Sequence, residues 1–360
     1  MPTPLEQLTR NLAKLATHYD MLGEWPAQSL ELLGAAGGWT WAIPQRFGGL
    51  GLDPASQMLA YEAVAAGSMS CALILTQRDG ACEFIVESDN EEAKSALLPK
   101  LNSNSVFATI GISHLTTSLR AGSSALTAVR EDDHYILNGC IPWVTGAVNS
   151  DCIVTAALEP GVGQILVCLP VSLEGVQIDA PMKLMAVENA LTSEVHCRNV
   201  RISREHLLRK SAADVLKRRS PVKSLVVAAT GIGLAGALIR DIQVHAVGAD
   251  SKIREFAEEA GVRYAATRER IMGFAAELGN ENSEIPKTEL RVAVNDLLLR
   301  LAIAATTVGK GSGFIRQRDT QRLAREAMFF LVWSATEDVR VKSLASFLER
   351  PEPEIRSMPL

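Results

Sequence analysis

The hydrophobic period of the chain changes twice, and that double change is the strongest constraint on its fold. Over the first hundred residues it is helical: Leu5, Leu8, Leu12 and Leu15 recur at three- and four-residue steps, which puts them on one helical face. Asp53-Pro54 reads as a helix start, with Asp53 capping and Pro54 at the first helical position, followed by Met58, Tyr61 and Ala65 on one side. From about Ser105 the pattern turns to short strands between polar turns. Thr127-Ala128-Val129-Arg130 and Tyr135-Ile136-Leu137 flank Glu131-Asp132-Asp133-His134 as a hairpin, and Asn138-Gly139 is a second turn signal. Ile153 to Ala157 and Gln164 to Leu169 are apolar strands around a Pro160-Gly161-Val162-Gly163 turn, and Val195 to Arg198 alternates. After about Arg209 the helical period returns. Leu290, Val294, Leu297, Leu301 and Ala305 line one helix face, which Thr288 is expected to cap. The run Val226 to Ala235, rich in Ala and Gly, allows close approach of helix backbones.

This order predicts an α+β multidomain chain, mainly α. An N-terminal helical domain spans 1–104, a central antiparallel β-domain 105–208, and a C-terminal bundle of about four helices 209–360. Hydrophobic residues at 47% and charged residues at 21% are enough to bury sizeable cores and exclude a disordered chain.

Charge and cysteine usage narrow the function classes. The net charge is −5, and basic residues are scattered except for Lys217-Arg218-Arg219, which reads as a solvated helix start, so nucleic acid is not an expected partner. No run approaches about 18 continuous apolar residues, and Met1 to Glu6 lacks the features of a signal peptide; a soluble, cytoplasmic protein without membrane partners is expected. Cys71, Cys82, Cys140, Cys152, Cys168 and Cys197 are widely spread and read as buried thiols, and six dispersed histidines offer no metal-ligand spacing.

Several local sequences then fall in one order: the loop Ile43-Pro44-Gln45-Arg46-Phe47-Gly48-Gly49-Leu50-Gly51; Leu97-Leu98-Pro99-Lys100-Leu101; Leu137-Asn138-Gly139-Cys140-Ile141-Pro142-Trp143-Val144-Thr145-Gly146; and Gln321-Arg322-Leu323-Ala324-Arg325-Glu326-Ala327. Together they resemble the acyl-CoA dehydrogenase superfamily over nearly the whole chain. The resemblance implies FAD between the β-domain and the bundle, with Trp143 and Thr145 against its ring system: an indole excludes water, and a hydroxyl bonds a polar edge without adding charge. The family's second flavin segment corresponds to Ile112-Ser113-His114-Leu115-Thr116-Thr117-Ser118. Ser113, His114 and Ser118 are its candidate contacts, and a structural histidine is the other reading of His114. Val308-Gly309-Lys310-Gly311-Ser312-Gly313-Phe314 fails the phosphate-loop pattern. It is similar to the family turn that approaches the FAD of a neighbouring subunit, with Gly311 and Gly313 in that role; a plain helix-ending turn is the alternative.

Two departures matter. Acyl-CoA dehydrogenation needs a carboxylate to take a proton while the flavin takes a hydride. The position of the family's usual base corresponds to Ser334, within Trp333-Ser334-Ala335-Thr336, and the alternative position falls on Val222-Lys223-Ser224-Leu225, where Lys223 stands instead of an acid. Glu337 is the candidate displaced base, with Asp338 beside it. The Arg-x-x-Phe-Gly turn that brings an arginine to the FAD pyrophosphate in the family is shortened here, where Val244-His245-Ala246-Val247-Gly248-Ala249-Asp250-Ser251-Lys252 runs almost directly into the next helix, with Arg254 as a substitute of unassigned role. The resemblance thus implies a flavin-dependent oxidoreductase acting on the CH–CH group of an acyl thioester such as acyl-CoA, assembled as a homodimer or homotetramer, with its electron acceptor unassigned. Two alternatives stand: a flavin monooxygenase or oxidase on the same fold, supported by the Ser113-His114 pair, and a catalytically inactive acyl- or flavin-binding homologue.

Overall fold

A computed structural model describes residues 2–115, 125–212, 221–277 and 286–348. Ser118 and the Lys217-Arg218-Arg219 run lie outside these residues. Five helices come first: α1 (Pro4–Leu22), α2 (Ala27–Ala35), α3 (Pro54–Gly67), α4 (Met69–Val86) and α5 (Glu91–Asn102). Their ends follow the sequence signals. Thr3 and Glu6 form a reciprocal capping box on α1, and the Asp53 carboxylate accepts from the amides of Ala55 and Ser56 at the start of α3. Between α2 and α3 the loop of residues 43–51 contains one short 3₁₀ turn, Gln45–Phe47. Gly49 is obligatory there, since a Cβ would stand 1.9 Å from the Ile43 carbonyl oxygen.

The strands are β1 (Ala108–Gly111), β2 (Thr127–Glu131), β3 (His134–Val144), β4 (Cys152–Glu159), β5 (Gly163–Pro170), β6 (Val176–Ile178), β7 (Ser193–Ile202) and β8 (Leu207–Ala212). They form one sheet in the order β6-β7-β3-β2-β4-β5-β8, with β1 joined to β4. The sheet is antiparallel except where β1 and β2 run parallel to β4, so the expected purely antiparallel domain is corrected to a mixed one. The β2–β3 hairpin closes with Glu131 opposite His134. Asn138-Gly139, however, is not a turn: it lies inside β3 at a register shift against β7. Gly139 takes φ +127° and packs so closely on Ala125 that a Cβ would lie 2.5 Å from its carbonyl oxygen. The residue pair that suits a turn serves here as a β-bulge.

Helices resume with α6 (Pro221–Ala246), α7 (Ser251–Glu277), α8 (Lys287–Gly309), α9 (Asp319–Phe329) and α10 (Glu337–Leu348). The predicted stripe on α8 is buried, but Thr288 is its second residue and does not cap it; Pro286 occupies the cap position without a side-chain bond. α3 packs along α6 at close range, since a Cβ on Gly233 would fall 2.2 Å from the carbonyl oxygen of Glu62. One apolar core therefore runs from α1–α4 through α6–α9, and two further clusters cover the two faces of the sheet. By length and mean hydropathy the helical stretches Leu225–Ala246 and Lys287–Phe314 are apolar enough to cross a membrane, and most of the first is buried in that core. All six cysteines are buried and free.

Candidate functional site

The end of β3 carries the expected flavin contacts. Pairing with β7 breaks between Ile141 and Val144, and within that break Trp143 adopts a left-handed backbone at φ +59° with its side chain 53% exposed. A bulky residue held in this region is strained, and the strain presents the indole to solvent instead of to the sheet. Thr145 is buried: its hydroxyl lies 3.4 Å from that of Thr192, and its carbonyl accepts from the Thr109 hydroxyl at 2.8 Å. Ser113 donates to the carbonyl of Pro142, at 2.5 Å, and so fastens its loop to the residue before Trp143.

His114 points inward. It is 2% exposed, and its Nε2 donates to the carbonyl of Ala156 at 2.8 Å, which fixes the tautomer and leaves Nδ1 as an acceptor without a hydrogen-bond partner among the described residues. Burial pulls its pKa below the usual histidine value, so the ring is held neutral. The structure thus brings Ser113, Trp143 and Thr145 together at one strand end and sets the His114 ring in the interior.

The turn after α9 carries the second group. Trp333 stacks on Phe329 with centroids 5.7 Å apart and meets Phe330 edge-on at 5.4 Å. Ser334 follows at φ +50°, exposed, and the Thr336 hydroxyl accepts from the Val339 amide to cap α10. Glu337 and Asp338 are exposed on the first turn of α10, and Asp338 lies 3.5 Å from Lys342. Lys223 belongs to the first turn of α6.

Gly311 and Gly313 sit in the 3₁₀ turn Lys310–Phe314 that follows α8. Gly313 is buried, and a Cβ there would lie 3.3 Å from Thr320. Gly311 is exposed, with nothing within 4 Å of the space a Cβ would take. No contact among the described residues requires that glycine. An exposed indole at the strand end and an open backbone turn on the bundle are surfaces that suit a flat aromatic cofactor and its polar tail. The short α6–α7 loop uses Arg254 for itself, donating to the Ala249 carbonyl at 2.9 Å.

Two features, Arg291 and a cysteine–glutamate–histidine grouping, had no motif to announce them. Arg291, on the buried face of α8, donates to the carbonyls of Phe330 and Trp333 at 2.5 and 2.8 Å; an arginine amid Leu290 and Val294 was the only signal. The paired arginines of α9 prove to be fasteners: Arg322 meets Glu326 at 2.9 Å and Asp319 at 3.1 Å, while Arg325 meets Asp20 of α1 at 2.5 Å. Spacing along the chain shows no metal-ligand set, yet one grouping of donor atoms forms in the fold. Ligand atoms of Cys140, Glu194 and His196 lie within 4.8 Å of one another, and burial with a bond to Glu194 pushes the Cys140 thiol up to about 12. Strand register brings them together, and spacing along the chain could not reveal it.

Comparison with known proteins supplies the frame. The family model of the acyl-CoA dehydrogenase N-terminal domain matches residues 6–105. An acyl-CoA dehydrogenase of Bacillus subtilis (strain 168) is 22% identical over 358 residues, covering 94% of each chain. Butyryl-CoA dehydrogenase from Megasphaera elsdenii superposes with a TM-score of 0.83 at 18% identity, covering 97% of this chain and 99% of that one. Dibenzothiophene monooxygenase from Paenibacillus sp. A11-2 superposes with a TM-score of 0.80 at 14% identity, covering 96% of each. At these identities the two structures establish the fold and not the reaction.

Proposed function

For a chain that belongs to the acyl-CoA dehydrogenase superfamily, we propose a flavin-dependent oxidoreductase that removes hydrogen from the CH–CH group of an acyl thioester such as acyl-CoA. The observation that carries this reading is the strained, outward-facing Trp143 at the end of β3, above the buried Thr145. Bound FAD supplies the hydride acceptor for the β-carbon. Trp143 would lie against the ring system and exclude water from it. Thr145 and Ser113, through their bonds to Thr192 and Pro142, hold the strand end in the shape that presents the indole. In a homodimer or homotetramer, Gly311 would leave room for the cofactor of a second subunit, and Gly313 would keep the turn compact beside it. A soluble cytoplasmic setting suits the six free thiols.

In this reading the α-proton goes to the carboxylate of Glu337, because a serine hydroxyl at position 334 is too weak a base. That same Ser334 favours a second reading, a flavin monooxygenase or oxidase, whose chemistry needs no such carboxylate. One experiment separates them. Purified protein should be yellow, and anaerobic addition of acyl-CoA thioesters of graded chain length should bleach it. No bleaching at any length, with rapid reoxidation in air after chemical reduction, selects the second reading. Colourless protein that takes up no flavin on incubation with FAD overturns both and leaves an inactive binding homologue.

A further inference from the structure

Three adjacent strands converge at the β6 edge of the sheet. Val195 and Ile141, register partners on β7 and β3, face the inner core of the sheet. Alternation turns their neighbours to the other side: His196 lies opposite Cys140, Glu194 is two residues along β7 from His196, and Asp179 follows the last residue of β6. The His196 Nε2 atom lies 3.1 Å from Asp179 Oδ2 and 3.3 Å from Glu194 Oε1, and the Cys140 thiol bonds to Glu194. A single imidazole nitrogen carries at most one proton, yet two carboxylates converge on it. A cation between Cys140, Glu194 and His196 would satisfy those three groups together.

We propose that Cys140, His196 and Glu194 form a zinc-binding site, with Asp179 beside the same imidazole nitrogen. Thiolate, imidazole and carboxylate are the donor types zinc takes, and a tetrahedral centre with bonds near 2.0–2.3 Å places its ligands roughly 3.3–3.8 Å apart. The two measured nitrogen–oxygen separations are already within about 0.2 Å of that range, and the three ligand atoms of Cys140, Glu194 and His196 need only draw in from within 4.8 Å. The ligands stand on hydrogen-bonded strands, so little order is lost on binding. Binding releases one proton, from the Cys140 thiol, as the sulfur–zinc bond forms. Three protein ligands on two paired strands hold the ion, and Asp179 stands 3.1 Å from the same imidazole nitrogen. It pins β7 to β3, and through β3 it braces the segment that ends at Trp143.

The full-length protein, stripped with a chelator and desalted, is titrated with cobalt chloride and then zinc chloride. One equivalent of cobalt should bind with a thiolate-to-metal absorption band and tetrahedral visible bands, all removed by zinc. Cys140→Ser should lose the thiolate band and bind zinc about 100-fold more weakly, and His196→Gln should weaken it comparably. Zinc should raise the melting temperature of the parent protein and not of Cys140→Ser. Cobalt that binds without a thiolate band, or not at all, overturns the site whether or not the variants fold. Unchanged zinc affinity in Cys140→Ser overturns it equally. Flavin content plays no part in these readings, so their outcome is separate from that of the proposed activity.

Discussion

The Arg291 guanidinium donates from Nη2 to the carbonyl of Trp333 at 2.8 Å and so stands directly behind Ser334 in the chain. It donates as well to Phe330 and lies over that ring at 5.0 Å. Its Nε and Nη1 atoms have no hydrogen-bond partner among the described residues, and burial pulls the group down to about 9. A buried cation held by carbonyl dipoles alone costs stability. What it secures is the shape of the turn between α9 and α10.

Arg291→Met removes both carbonyl bonds without burying an unpaired charge. Charge-assisted bonds contribute about 1.5–3 kcal/mol each, so amide exchange over residues 331–336 should rise roughly 10- to 100-fold while the rest of the bundle keeps its protection. Hydrogen-exchange mass spectrometry checks this. Unchanged exchange in that turn would show that the aromatic packing of Trp333 suffices.

The same turn decides where a base can stand. Glu337→Gln should slow anaerobic bleaching by acyl-CoA about 100-fold or more while leaving the flavin spectrum intact, because only the proton acceptor is lost. Ser334→Glu in the Glu337→Gln background should restore part of the rate by placing a carboxylate at the family position. Stopped-flow absorbance reads both, and full bleaching in Glu337→Gln removes that residue from the mechanism.

His114 imposes a pH dependence on stability. Its folded pKa lies below 6.5, so as pH falls the unfolded chain takes up this proton first. The contribution is whole above pH 6.5, is lost as pH drops below it, and levels off beneath the folded value. Burial also lowers His206, which adds to the same slope. His114→Gln keeps a donor for Ala156 and removes the titration, so melting temperature should fall less steeply between about pH 6.5 and 5. An identical slope in parent and variant would assign the dependence elsewhere.

How much was legible follows from the range of each interaction. The Asp53 cap, the α1 stripe and the Glu131–His134 hairpin are set by neighbours a few residues apart, and local pattern found them. Asn138-Gly139 misled because the backbone freedom that suits a tight turn suits a bulge equally, and only pairing of β3 with β7 decides between them. The Cys140 grouping joins two strands, β3 and β7, and Arg291 joins α8 to the turn after α9, so neither leaves a mark in spacing. The α9 arginines were read as a family signature; the structure supplies their physical reason, a tie between the bundle and α1 through Asp20.

Trp143 offers the sharpest separation of binding from stability. It is exposed and holds φ +59°, a conformation that glycine adopts freely. Trp143→Gly should therefore leave the flavin-free protein as stable as the parent or raise its stability by about 1 kcal/mol. Flavin affinity should move the other way, weakening at least tenfold, because the indole surface over the ring system is gone. Thermal melts of flavin-free protein and titration of flavin fluorescence measure the two effects on one sample. Trp143 is strained for the sake of a ligand only if they diverge: a variant that loses stability shows that the indole serves the fold, and one that keeps parental flavin affinity places the cofactor away from the end of β3.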